Sequence, residues 1–292
     1  MSPQPNGGFA ERTFRAQDDV PIYYRDYGDP LSPLTPVLCL SGLTRNSRDF
    51  DALARRLAAT RRVLCMDYRG RGKSGNDPDW TNYKPETYAN DVIHMLAAVN
   101  LHHVVVIGTS LGGLVSMGLS ILRPTVLAGV VLNDIGPHVA ADGRARIASY
   151  VGIDVRMPDW AAAGQHLQRS FGRIFADFDQ ARWEDYARST FVEETAGGTL
   201  RLNYDLRLGD AVRAQASQPT PDLWALYRGL RHIPVLAIRG ALSDVLDADT
   251  FERMAVEKPD LQRLLIGYRG HVPLLDEPES TDAIDRFLGA LR

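Results

Sequence analysis

Val104-Val105-Val106-Ile107-Gly108-Thr109-Ser110-Leu111-Gly112-Gly113-Leu114-Val115 is the stretch on which the fold turns. Its first four residues are apolar and β-branched, the pattern of a strand buried on both faces. After the glycine pair, residues 114–122 read as a helix. The joint between them is Gly-x-Ser-x-Gly, with Ser110 at its centre. A serine on such a strand-to-helix turn has strained torsions, so its neighbours must be small, and Gly108 and Gly112 meet that need. The turn lifts Ser110 Oγ above the carboxyl edge of the sheet. The Leu111 N–H, at the helix N-terminus, then points to where an oxyanion would form.

Outward from this stretch, short apolar runs recur at 36–40, 63–67, 127–133, 234–239 and 261–266. Helical patterns lie between them. Residues 50–59 place Phe50, Leu53, Leu57 and Ala58 on one face, and 85–99 do the same with Tyr88, Val92, Met95, Leu96 and Val99. Strand–helix alternation predicts an α/β fold with a mostly parallel sheet. Residues 10–16 and 20–26 alternate more, as an antiparallel pair at a sheet edge would. The alternation stops after Asp134. Residues 137–231 show helical patterns at 144–150, 160–171, 180–191, 208–216 and 221–230, and no convincing strand. The expectation is one α/β core, residues 1–136 and 232–292, with an all-helical cap inserted at 137–231.

Composition narrows the function classes. Of 292 residues, 45% are hydrophobic and 24% charged, a balance that excludes a disordered chain. The net charge is -3, and the 30 arginines and 3 lysines are scattered, so no nucleic-acid partner is expected. No run approaches the roughly 20 apolar residues of a membrane-spanning helix. Residues 1–8 lack a basic and an apolar region, so no secretory signal is read there and a cytoplasmic location is expected. Cys39 and Cys65 lie in apolar runs and read as small hydrophobes in buried strands. Oligomeric state is not legible.

A serine hydroxyl is a poor nucleophile until a base takes its proton. Of seven histidines, His271 in Gly270-His271-Val272-Pro273 follows the last strand, at the carboxyl edge, beside a glycine that allows a sharp turn. The acid that orients it is expected after the strand at 234–239, where Asp244 stands in Gly240-Ala241-Leu242-Ser243-Asp244. Asp134, at the end of the strand at 127–133, is the rival; Asp244 is preferred. The order Ser110, Asp244, His271 fits this architecture. A second oxyanion donor is expected from the Leu43 backbone in Ser41-Gly42-Leu43-Thr44, where Gly42 lets the backbone come close. Arg45 stands at the rim as a candidate for a substrate carboxylate, the alternative being an arginine bonded to the cap or to solvent.

At these residues the chain resembles the α/β-hydrolase superfamily, in its cap-containing, esterase-like and proline-iminopeptidase-like branch. The resemblance spans nearly the whole chain and rests on Ser41-Gly42-Leu43, on Asp67-Tyr68-Arg69-Gly70-Arg71-Gly72-Lys73-Ser74, on 108–113, on Asp244 and on Gly270-His271. It implies an eight-stranded sheet flanked by helices. It also implies acyl transfer to water through Ser110, with carboxylic esters as the default substrate. Many members carry His-Gly where this chain has Ser41-Gly42, a departure that leaves the backbone donor in place. Members with an aspartate nucleophile are excluded by Ser110.

Gly70-Arg71-Gly72-Lys73-Ser74-Gly75 spells a dinucleotide fingerprint. Asn76-Asp77-Pro78 follows it, however, where a phosphate-binding helix would have to begin. The leading glycine of a P-loop would fall on Asp67. No His, Cys or carboxylate set has metal-ligand spacing. No cofactor and no metal are therefore expected, and the partner is a small molecule with an apolar group. Trp160 and Trp183 offer an apolar wall in the cap, the alternative being that they pack its helices. The leading function is a carboxylic-ester hydrolase. Alternatives are a C–C bond or enol-lactone hydrolase of aromatic degradation, which would need Arg45 for a dienoate, and a ligand receptor that retains the three residues.

Overall fold

Residues 8–194, 198–216 and 221–291 are described by the computed structural model. The reading of residues 1–8 as free of a leader lies outside them, Gly8 excepted. The strands are β1 (Phe9–Arg15), β2 (Pro21–Tyr27), β3 (Val37–Leu40), β4 (Val63–Met66), β5 (Val104–Thr109), β6 (Leu127–Asn133), β7 (Arg156–Met157), β8 (Phe191–Glu193), β9 (Leu200–Leu202), β10 (Val235–Gly240) and β11 (Gln262–Ile266). The helices are α1 (Asp51–Leu57), α2 (Pro85–Ala98), α3 (Leu111–Leu122), α4 (Ala141–Tyr150), α5 (Trp160–Phe171), α6 (Gln180–Thr190), α7 (Leu208–Ala216), α8 (Trp224–Gly229), α9 (Ala248–Glu257) and α10 (Pro278–Ala290).

Eight strands form one sheet in the order β1-β2-β4-β3-β5-β6-β10-β11. Only β2 runs antiparallel to its neighbours β1 and β4; the remaining pairings are parallel. This is the mostly parallel α/β sheet that the apolar runs predict, with the eight strands that the resemblance implies. Successive side chains point to opposite faces of a strand. Leu38, Leu40, Leu64, Met66, Val104 and Val106 thus share one core with α2 and α3. Val37, Cys39, Val63, Cys65, Val105 and Ile107 share the other with α1 and α10. With both faces covered, each central strand is apolar without a break. Cys39 and Cys65 are in register on β3 and β4 and are buried free thiols.

The segment between β6 and β10 departs from the expectation of an all-helical cap. It carries α4 to α8, but also a three-stranded antiparallel sheet in the order β7-β9-β8. Its own apolar cluster gathers Leu167, Phe175, Phe178, Trp183, Phe191 and Leu200. Its later part, with Tyr204, Leu208, Trp224 and Tyr227, packs into the main core. Among the described residues no helix is long and apolar enough to cross a membrane.

Candidate active site

Ser110 sits between β5 and α3 with φ 52° and ψ -112°, a left-handed conformation no unstrained serine adopts. The surroundings force it. A Cβ on Gly108 would lie 2.5 Å from the Gly112 carbonyl, and one on Gly112 would lie 2.1 Å from the Leu40 carbonyl oxygen. The Ser110 N–H donates to Asn133 O at 3.0 Å, which ties the turn to the end of β6.

His271 arrives on the loop after β11. Its Nε2 lies 3.0 Å from Ser110 Oγ, and its Nδ1 lies 2.7 Å from Asp134 Oδ2. Asp134 follows β6 directly, is fully buried and has φ 55°. Its Oδ1 accepts the Gly240 N–H at 2.8 Å, and its Oδ2 accepts the Ser243 hydroxyl at 2.6 Å. Asn133 donates to Pro273 O at 2.8 Å and so anchors the histidine loop to the same strand end. Serine, imidazole and carboxylate stand in one hydrogen-bonded line, the array that lets a hydroxyl pass its proton to a held base.

Ser110 and His271 are therefore brought together as expected, but Asp244 does not face the imidazole. Arg146 of α4 clasps it with two hydrogen bonds, at 2.5 and 2.8 Å. Those bonds are the largest cause of a carboxyl pKa held below the usual range, and the His271 charge adds to it. The Gly240 N–H at the end of β10 and the Ser243 hydroxyl beyond it are both given to Asp134. Asp244, one residue further, meets α4.

Leu43 and Leu111 are both near Ser110 in the fold. A Cβ on Gly42 would lie 3.8 Å from Ser110 Cβ, so the Leu43 loop flanks the serine. Leu111 opens α3. Among the described residues neither backbone N–H has a protein acceptor. Arg45 is not free for a substrate carboxylate and takes the alternative role, bonded to the cap. Its Nε and Nη2 bind both oxygens of Asp49, Nη2 also binds Ser189 Oγ, and Nη1 binds Thr190 Oγ1. The guanidinium lies 4.4 Å from the Tyr186 ring centroid. It fastens α6 to the core, and four of its five N–H groups are spent there. Trp183 is buried against Phe175, Phe178 and Tyr186, so it packs the insertion. Trp160 donates to Glu193 at 3.1 Å and carries Arg188 on its ring. Neither tryptophan is brought to Ser110. Sequence reasoning missed Ser243 and Arg146, whose roles depend on which strand ends and helices become neighbours.

The fingerprint-like turn at 70–75 is structural. Asp67, its carboxyl raised by burial, accepts the N–H groups of Ser47 and Lys73 at 2.6 and 2.9 Å. A Cβ on Gly72 would collide with that carboxylate, at 2.0 Å. No group of three or more His, Cys, Asp or Glu that could hold a metal is found among the described residues.

A model of the alpha/beta hydrolase family matches residues 37–283. The chain belongs to this family. An alpha/beta hydrolase from Novosphingobium aromaticivorans DSM 12444 superposes with a TM-score of 0.92 at 39% identity, over 97% of this chain and 99% of that one. The 3-hydroxybutyrate-oligomer hydrolase of Cupriavidus necator is 32% identical over 273 residues, 90% of this chain and 91% of the relative. The 2-(acetamidomethylene)succinate hydrolase of Mesorhizobium japonicum is 26% identical over 256 residues, 87% and 88% of the two chains. This alpha/beta hydrolase is a hydrolytic enzyme.

Proposed function

We propose that the protein hydrolyses carboxylic esters through an acyl-enzyme on Ser110. The observation that carries the reading is the line from Ser110 Oγ through His271 to Asp134, at 3.0 and 2.7 Å. Ser110 Oγ attacks the acyl carbon as His271 Nε2 takes its proton. The N–H groups of Leu43 and Leu111 hold the oxyanion. Collapse breaks the acyl–oxygen bond, and His271 returns the proton to the leaving alcohol. Water, its proton taken by His271, then attacks the acyl carbon and frees the acid and Ser110. Asp134 keeps the imidazole in the right tautomer and stabilises its charged form.

The substrate class is small oligoesters of hydroxy acids, or esters that likewise bear a free carboxylate. The support is that the Cupriavidus relative is named for oligomers of 3-hydroxybutyrate, which are esters with an acid end. The dienoate reading needed Arg45, which is committed elsewhere.

The test is hydrolysis of p-nitrophenyl acetate and butyrate beside 3-hydroxybutyrate dimer and trimer, wild type against Ser110→Ala. Loss of at least about a thousandfold in kcat by a folded variant is expected. Turnover that survives the substitution refutes the nucleophile. A folded wild type that binds an ester tightly without cleaving it returns the receptor reading.

A further inference from the structure

We propose that Arg71 is a positioning residue for the oxyanion-binding backbone of Leu43, and that it couples the seating of the insertion to that site. The inference rests on the reading of Leu43 as an oxyanion donor. Arg71 is only 1% exposed. Its Nε donates to Leu43 O at 2.9 Å and its Nη1 to Arg69 O at 2.7 Å. Nη2 is buried beside the Tyr88 hydroxyl and meets no carbonyl or carboxylate among the described residues. The guanidinium lies 4.7 Å from the Tyr88 ring centroid, with Tyr83 and Tyr68 further off at 5.4 and 5.9 Å.

No carboxylate pairs with Arg71 among the described residues. The carboxylates of Asp18, Asp77 and Asp91 gather on Arg69 instead. A guanidinium does not lose its proton, so a permanent charge is buried against carbonyl oxygens and ring faces. The turn does not need it. Gly70 and Gly72 supply the left-handed torsions and Asp67 closes the loop. The contact with Leu43 O gives the side chain a use: it pins the residue read as the oxyanion donor and places positive potential behind the developing oxyanion.

The same residue touches the insertion. Arg71 forms an antiparallel bridge with Tyr204. The Gly72 N–H donates to Asn203 O at 3.0 Å, and the Asp205 N–H donates to Gly70 O at 2.8 Å. The chain leaving β9 is thereby seated on the turn that carries Arg71.

Arg71→Lys and Arg71→Gln, each checked for folding, are assayed on a p-nitrophenyl ester and with a trifluoromethyl ketone whose adduct on Ser110 mimics the oxyanion. Arg71→Gln is expected to lower kcat by about a hundredfold with KM within about twofold. The ketone Ki should weaken in step, and Arg71→Lys should lose less. A folded variant with wild-type kcat and Ki overturns the proposal. So does one whose kcat falls while Ki holds, and so does failure of both variants to fold, which assigns Arg71 to the scaffold alone. A wild type without Ser110-dependent turnover fails the parent reading before Arg71 is reached.

Discussion

Asp134 and Asp244 follow neighbouring strands, yet only Asp134 reaches the imidazole. Asp134 leaves β6 at φ 55°, a torsion aspartate tolerates better than most residues, which turns its carboxylate under His271. Asp244, four residues beyond β10, finds Arg146. Asp134→Asn is expected to lower kcat by about three to four orders of magnitude with the fold intact, because the wrong tautomer of His271 is favoured. Asp244→Asn should leave kcat for neutral p-nitrophenyl acetate within about threefold. Steady-state kinetics on both variants decide it, and the opposite ranking would return the acid to Asp244. In the sequence both aspartates follow a strand that ends at the catalytic edge, and that local cue does not tell which of them meets the imidazole.

The serine turn was legible as an element because its causes are local. Four apolar residues, two glycines at fixed spacing and a helical run follow from short-range sterics. The strands of the insertion were not legible. Arg156–Met157, Phe191–Glu193 and Leu200–Leu202 span two or three residues each, too few for an alternating period to show. They exist because β9 finds both partners, a long-range event. The same holds for Trp183, whose composition suggested a pocket wall and whose place is the middle of an aromatic cluster. Trp183→Ala is expected to cost about 3–5 kcal/mol of stability, as large-to-small core changes do. In residual folded enzyme KM should stay unchanged. Denaturant unfolding beside kinetics separates the two; a raised KM without destabilisation would put Trp183 in the pocket.

At the scale of the molecule, ion pairs fasten the insertion to the sheet. Arg269, beside the histidine loop, binds Asp177 of the insertion and Glu277 of the core. Arg146 of the insertion binds Asp244 of the core. Both aspartates have pKa values below the ordinary 3.8, chiefly from the hydrogen bonds of Arg269 and of Arg146. A depressed carboxyl pKa contributes stability that is present above the unfolded value and lost as pH falls through the folded one. The ties should hold from pH 8 to pH 5 and release below about pH 4. Both carboxylates are partly exposed, so salt should weaken the effect. Tryptophan fluorescence, to which Trp160 and Trp183 contribute from the insertion, should be flat over the upper range and change only at the acid end. A change centred near pH 6 would assign the coupling to another group.

What the residues determined unaided were the properties set by near neighbours. Continuous apolar runs made a sheet buried on both faces, the glycines around Ser110 made its turn, and Gly270 with the end of β11 delivered His271 to the same edge. What tertiary structure alone decided was allegiance among charged side chains. Asp134 went to His271, Asp244 to Arg146, and Arg45 to Ser189 and Thr190 of α6. Backbone pattern is written in spacings of two to four residues. The partner of a buried charge is chosen by which strand ends and helices meet across a hundred residues of chain, and by which donors have already been spent.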